Sequence, residues 1–351
     1  MALLRGSRLS QRTGLAPAKL CVCGGLMIAG AAIIAWAAYA ALRPPPLPYD
    51  LTFSQTAPSA ISEVAERAAG AESIERVEVK AQGVVKPVAA GLVTRDREGR
   101  LIPLGWENSV TEPVFFADIS LPETAKVLAA IEKHVPSDAI VLAWWDLSRR
   151  IRAMAHRQAP LDDPLAQGLL IPSAWKTGET TGINEKLREL WGSGVPEKEG
   201  SVFSSFIDAL LLDEHSGTEA LARLANGKKA YIAVHLSDIW KAAEARPGRI
   251  SAAWRDFPGT PGSHGVIKAV HQWIEEQKIE GGYAVEPRGN VTRLHYLLRK
   301  PDSGLLLARL LPFSTSNPLP FSTSNPLRPG ALQLVYQQGG YWIYALKAGN
   351  S

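Results

Sequence analysis

The sequence predicts an α/β protein: a single N-terminal transmembrane helix, then an exported α/β domain that ends in an antiparallel C-terminal sheet. Three observations predict it. Residues 20–42, "LCVCGGLMIAGAAIIAWAAYAAL", carry no charge. Two stretches of strand length, the wholly apolar "AIVLAWW" at 139–145 and the largely apolar "AYIAVHL" at 230–236, each run into a segment of helical period. Buried strands alternating with helices indicate a parallel arrangement. From residue 281 the chain alternates between strand-like runs and tight turn residues, the pattern of antiparallel strands.

The N-terminal elements come first. Residues 1–19 hold Arg5, Arg8, Arg12 and Lys19 and no acid. The apolar run behind them is about 34 Å long as a helix, enough to cross a hydrocarbon core of about 30 Å. Positive charge on its N-terminal side keeps the N-terminus in the cytoplasm and sends the rest of the chain across the inner membrane into the periplasm. A cleaved signal peptide competes, because Ala38-Tyr39-Ala40 is a small-x-small sequence, but the run exceeds the usual apolar region of about 7–15 residues. The four basic residues of the tail account for the whole excess of 38 Lys and Arg over 34 Asp and Glu. The remainder is balanced, which argues against a nucleic-acid partner. Both cysteines, Cys21 and Cys23, lie in the apolar run. The exported part therefore has no disulfide, no thiolate metal site and no Cys-x-x-Cys-His haem attachment, and no cofactor is expected.

"RPPPLP" at 43–48 reads as a stiff spacer, and the following stretch to residue 70 as linker and short helix. "SIERVEVKAQ" and "KPVAAGLVTRD" alternate as strands, and "REGR" at 97–100 turns into "LIPLGWEN". "LPETAKVLAAIEKHV" at 121–135 is a helix with Pro122 in its first turn. After the apolar strand, "LSRRIRAMAHR" takes helical period. Leu147, Ile151 and Met154 share one face, while Arg149, Arg150, Arg152 and His156 are expected to turn outward. A second unit, 201–245, reads helix, helix, strand, helix. Five strand candidates close the chain: "GYAVE", "VTRLHYLLR", "GLLLARLLPF", "ALQLVYQ" and "YWIYALK". The octapeptide "PFSTSNPL" occurs twice, at 312–319 and 320–327, and with two prolines per copy it is expected as a surface loop. The chain so divides into a tail (1–19), an anchor (20–42), a linker (43–70), an α/β domain (71–280) and a β meander (281–351).

The triplet Trp144-Trp145-Asp146 admits two readings. In one, a strand ends at the tryptophans, the indoles fill the core, and Asp146 caps the helix that follows. In the other, the same place is a ligand site, because open α/β sheets bind ligands outside the carboxyl ends of their strands. An Asp between indoles could then accept a hydrogen bond from a hydroxyl or amide. The arginines beyond it, Arg149, Arg150 and Arg152, would form a docking face for an acidic partner.

The stretch "HVPSDAIVLAWWDLSRRI" resembles the segment of oligosaccharyltransferase catalytic subunits in which a strand leads into Trp-Trp-Asp-Tyr-Gly, and the likeness runs over 135–236. In that family the triplet recognises the hydroxyl residue of the acceptor sequon. This chain has Leu147-Ser148 in place of Tyr-Gly and lacks the many membrane helices that hold the lipid-linked sugar, so sugar transfer is not implied. A retained peptide- or glycan-binding module is. Over nearly its whole length, with one anchor, about 300 exported residues and Trp-Trp-Asp-x-Ser-Arg near the middle, the chain is similar to the hydroxylamine oxidation protein HaoB family. That family is encoded with multihaem hydroxylamine oxidoreductase. The resemblance implies a membrane-bound accessory protein whose partner is a multihaem cytochrome-type enzyme.

Other chemistry is thinly signposted. His235 and Asp238 straddle a strand end, and His264 and His271 lie seven apart at a helix start; these four are the metal candidates, although no metal motif contains them. "GTPGSHG" at 259–265 lacks the Lys-Ser/Thr of a phosphate loop. There is no Gly-x-Ser-x-Gly and no dinucleotide fingerprint, so nothing in the sequence argues for an enzyme.

Overall fold

Tyr49, Leu51 and Phe53 recur at every second residue, and this alternation builds the first strand, β1 (Tyr49–Gln55). The flanking prolines predict a linker over 43–70, yet they hide a strand whose period is plain. The computed structural model describes residues 29–37, 47–56, 74–97, 99–161, 169–176, 190–191, 202–260, 264–313 and 332–347. The basic tail 1–19, the rest of the apolar run, the expected short helix before residue 70 and the repeat beyond Phe313 lie outside the described residues. The chain divides into two compact units, Met1–Pro46 and Leu47–Ser351. In the first, residues 29–37 are helical, with Ile33, Ile34 and Trp36 exposed. Among the described residues no helix is long and apolar enough to cross a membrane.

In the second unit β1 pairs with β2 (Ile74–Ala81), β2 with β3 (Ala89–Arg95) and β3 with β4 (Leu101–Asn108), all antiparallel. Helix α1 (Leu121–His134) follows, with Ser120 as its cap and proline in its first turn. Next come β5 (Ile140–Ala143) and α2 (Trp145–Met154). Helices α3 (Val202–Leu210) and α4 (Glu214–Ala225) lead into β6 (Ala230–His235) and α5 (Asp238–Ala245). Strand β7 (Ala252–Pro258), helix α6 (His264–Gln277) and the hairpin β8 (Tyr283–Arg288) and β9 (Val291–Leu297) form a further layer. A short helix α7 (Leu306–Leu310) precedes the final hairpin, β10 (Leu332–Gln338) and β11 (Tyr341–Leu346).

The central sheet has the order β10-β11-β6-β5. Its β5–β6 pair is parallel, as the sequence predicted, and β11 joins β6 antiparallel. Both faces are covered. Ile140 and Leu142 enter one core cluster, with Ile232 and Val234, while Val141 and Ala143 enter another, with Tyr231 and Ala233. Burial on both sides explains why these strands are apolar throughout rather than alternating.

The C-terminal meander is corrected. "GLLLARLLPF" is not a strand but contains α7, whose Leu306, Leu307, Ala308 and Leu310 are buried. A wholly apolar run is ambiguous by period, and Leu, Ala and Arg without β-branched residues favour a helix. The four remaining strands do not form one sheet. β8 and β9 pair with each other and with β7, a strand the sequence reading omitted, in the order β7-β9-β8. β10 and β11 cross back to β6.

Candidate functional site

The triplet sits where the strand-end rule puts a site: Asp146 just beyond β5, with His235 at the end of its parallel neighbour β6 and Ser237 and Asp238 just beyond it. Its side chains have other roles than those expected. Trp144 and Trp145 are 1% and 0% exposed. Trp144 packs edge-on to Phe203, and Trp145 lies among Phe116 and Trp191. Neither indole N–H finds an acceptor among the described residues. The two rings serve as bulk in the core, and the reading that made them walls of an aromatic cleft is corrected.

Asp146 is not the helix cap. Trp144 occupies that position and its side chain makes no capping bond. Asp146 lies in the first turn, buried, between two cations. Arg150 Nη2 donates to its Oδ2 at 2.6 Å, and Lys241 Nζ donates to its Oδ1 at 3.0 Å. Lys241 also contacts Asp238 Oδ1 at 3.1 Å, and the backbone N–H of His235 donates to Asp238 Oδ2 at 2.9 Å. Two acids and two bases thus form one buried, charge-balanced cluster that ties α2 to α5. Burial alone would raise the Asp146 carboxyl; Lys241 and Arg150 outweigh it and hold it below the ordinary value. Asp238, with burial and the Asp146 charge against it, is held above. Burial would lower Lys241, but Asp146 and Asp238 raise it, so it stays charged.

The outward arginine face is likewise corrected. Arg149 and Arg150 are each 2% exposed. Arg149 Nη1 donates to the carbonyls of Leu101 (2.8 Å) and Trp191 (2.6 Å), with its guanidinium over the Trp145 ring. Arg157 binds the carbonyl of Val135 at 2.7 Å and that of Glu132, closing the end of α1. Of the expected docking arginines, Arg152 is exposed. A helix of ten residues that buries both faces reads from sequence as amphipathic, because cations are not expected inside.

Next to this cluster opens a cleft of about 470 Å³, lined by Asp118, Glu123, His235, Glu286, Arg288, Arg293 and Tyr341 among others. A cavity of about 10 Å³, wide enough for a single water-sized sphere, lies against the Asp146 cluster and shares Asp118, Ile119, His235 and Tyr341 with the cleft wall. Most charged groups of the cleft are paired. Asp118 takes Arg288 at 2.5 Å and Arg293 at 3.3 Å, and Arg293 holds Asp256 at 2.7 and 2.8 Å. His295 Nε2 lies 2.9 Å from Glu286 Oε2. Burial would raise Glu286, but the hydrogen bond and charge of its neighbours, His295 first, bring it down to about 2. Burial pushes His235 down to about 3 despite Glu286 at 4.0 Å. Its Nδ1 accepts from the Ser237 N–H at 3.1 Å, which leaves the proton of the neutral ring on Nε2, toward Glu286. Glu123 Oε1 accepts from the Gly340 N–H at 2.6 Å, and burial with Glu286 nearby raises it.

Three of the four metal candidates, His235, Asp238 and His271, are not brought together as a metal site. His235 and Asp238 meet only through the backbone N–H, His271 packs beside Tyr283, and His264 opens α6 with its side chain outside the described residues. Among the described residues no three His, Cys, Asp or Glu side chains are placed to hold a metal ion. Sequence reasoning missed Lys241, Glu123, Glu286 and Arg288. A signal existed for one pair: in the β8–β9 hairpin, Glu286 opposes Arg293, so His295, two residues on, shares its face.

Fold and site together define an α/β protein with a polar cleft at the carboxyl edge of a mixed sheet, next to a buried ion cluster. Two solved structures resemble it: the C-terminal globular domain of an oligosaccharyltransferase from Archaeoglobus fulgidus (11% identity, 66% of this chain and 100% of that one, TM-score 0.28) and the C-terminal domain of C. jejuni PglB (10%, 64% and 100%, 0.33). They are the class of domain that residues 135–236 resemble in sequence, and no residue role is carried over from them. No curated protein matches the chain. The family described as HaoA-associated protein HaoB matches residues 17–346, and the chain belongs to that family.

Proposed function

We propose that this chain is a membrane-anchored, periplasmic accessory protein of hydroxylamine oxidation, which binds its partner rather than transforming a substrate. The partner is HaoA, the multihaem oxidoreductase of that system. The observation that carries this reading is the family match, which takes in residues 17–346 and so includes the apolar run as well as the folded unit. Two features of the site support binding over catalysis. Asp146 spends both oxygens on Arg150 and Lys241. The cavity beside it, about 10 Å³, admits no substrate larger than a water-sized group.

The second reading, a peptide- or glycan-binding module, is favoured by the cleft of about 470 Å³, within the usual range of about 300–1,000 Å³ for ligand pockets. It places recognition on Asp118, Glu123, Glu286 and Arg288 rather than on the indoles.

The test is a gentle-detergent purification of the tagged full-length protein from its native membranes, with haem staining and mass spectrometry of what accompanies it. Retention of a multihaem oxidoreductase at moderate salt is the expected result. Bait that arrives without any haem protein overturns the accessory reading and directs attention to peptide and glycan binding at the cleft.

A further inference from the structure

One end of the first sheet exposes three valines. Val85 is 93% exposed, Val84 48% and Val110 42%. The first two form the tip of the β2–β3 hairpin, and Val110 lies in the segment after β4. These places adjoin: β3 begins where β4 ends, Ala89 opposite Asn108, and the Ser109 N–H donates to the Val88 carbonyl at 2.9 Å. Val85 gains almost nothing from the fold and its neighbour Val84 is only half covered; clustered exposed apolar residues mark a surface that is covered by something.

The same end is where the chain enters. Gln82, at the base of the tip, donates from its backbone N–H to the Pro48 carbonyl at 3.1 Å and from Nε2 to the Leu47 carbonyl at 2.6 Å. Five residue steps separate Leu47 from Leu42, the last residue of the apolar run. Fully extended they span at most about 18 Å, and the polar layer of a bilayer is itself about 5–7 Å deep on each side.

From this covalent tether and the exposed valines, we infer that the Val84–Val85 hairpin tip, with Val110, rests in the lipid surface. The inference depends on the anchor reading of residues 20–42. It fixes which end of the folded unit faces the membrane and leaves the opposite end of the sheet, the β3–β4 turn at Arg97, facing away. The exposed charges flanking these segments are one base, Lys86, and three acids, Asp50, Glu107 and Glu112, so the attraction is apolar rather than electrostatic.

The test uses full-length protein in phosphatidylcholine vesicles, with Cys21→Ser and Cys23→Ser, and a polarity-sensitive fluorophore on either Val85→Cys or Arg97→Cys. Both positions are exposed, so neither label disturbs the core. The expected result is blue-shifted emission at position 85, lost when the vesicles contain shallow nitroxide-labelled lipid, with no loss at position 97. Protein that floats with the vesicles but shows no quenching at 85 overturns the hairpin contact and leaves the anchor standing. Protein that does not float overturns the anchor, and the inference with it. If Val84→Glu with Val85→Glu leaves the lipid signal of a Val110→Cys label unchanged but abolishes haem-protein copurification, the valines are a protein-docking face and the lipid assignment is wrong.

Discussion

At the scale of single residues, Asp146 shows how one side chain can be read two ways and belong to neither. It is not a cap worth about 1 kcal/mol, and it is not an exposed acceptor. It holds together Arg150 and Lys241, themselves buried. Removing one member of a buried ion cluster costs about 3–5 kcal/mol, because it strands the opposite charges out of water. Asp146→Asn is therefore expected to lower the unfolding free energy by about that much, read by urea titration. A loss of only about 1 kcal/mol would mean that the pairing is replaceable and the cluster structurally minor. His235 makes a second prediction. Burial holds its folded pKa at about 3, against 6.5 ordinarily. Below pH 6.5 the unfolded chain takes up a proton that the folded chain refuses, and this continues down to about 3. The group's stability is thus complete above pH 6.5 and declines as pH falls through that window. Asp146, held low, adds a loss at more acid pH, as its carboxylate protonates. Melting temperature should fall on acidification from pH 6.5, and His235→Asn should flatten that slope. His295, also held low by burial, keeps the slope from vanishing.

At the scale of elements, the last hairpin decides more than its position at the chain's end suggests. β11 lies against β6, Tyr341 opposite His235, and the β10–β11 turn reaches the cleft. Gly340 is required there by space: a Cβ would stand 2.3 Å from His235 Nε2. Gly340→Ala should cost about 1–3 kcal/mol through overpacking and shift the His235 resonances in an NMR spectrum. Gly289, in the β8–β9 turn, has a φ of 59° with nothing within 4 Å. Gly289→Asn should be nearly silent in the same measurements, since Asn accepts that conformation and meets no neighbour. If both substitutions cost the same, the close approach at Gly340 is not what fixes its residue type. The helices show the converse case. α1 was legible from period and flanking residues, because it keeps one apolar face. α2 misled, since its second buried face is made of paired charges.

At the scale of the whole molecule, the chain has a folded unit, Leu47–Ser351, whose clusters of buried side chains lie within it. Deleting residues 1–46 should therefore leave the melting temperature nearly unchanged while moving the protein from the membrane pellet to the soluble fraction after carbonate extraction. A truncated chain that stays with the membrane would remove the anchor from the account of how this protein is held. The sequence by itself determined the apolar run, the alternation of the first sheet, the parallel β5–β6 pair and the place of the triplet at a strand end. Each is local, set by period, flanking residues and an unbroken apolar stretch. Only the tertiary structure decided that the two tryptophans are core, that Arg149 and Arg150 are inside, and that Glu123, His235, Glu286 and Arg288 share one cleft. Those residues stand up to 165 positions apart in the chain. A charged side chain is written the same way whether it meets water or a partner from another element, and which it meets is settled by packing.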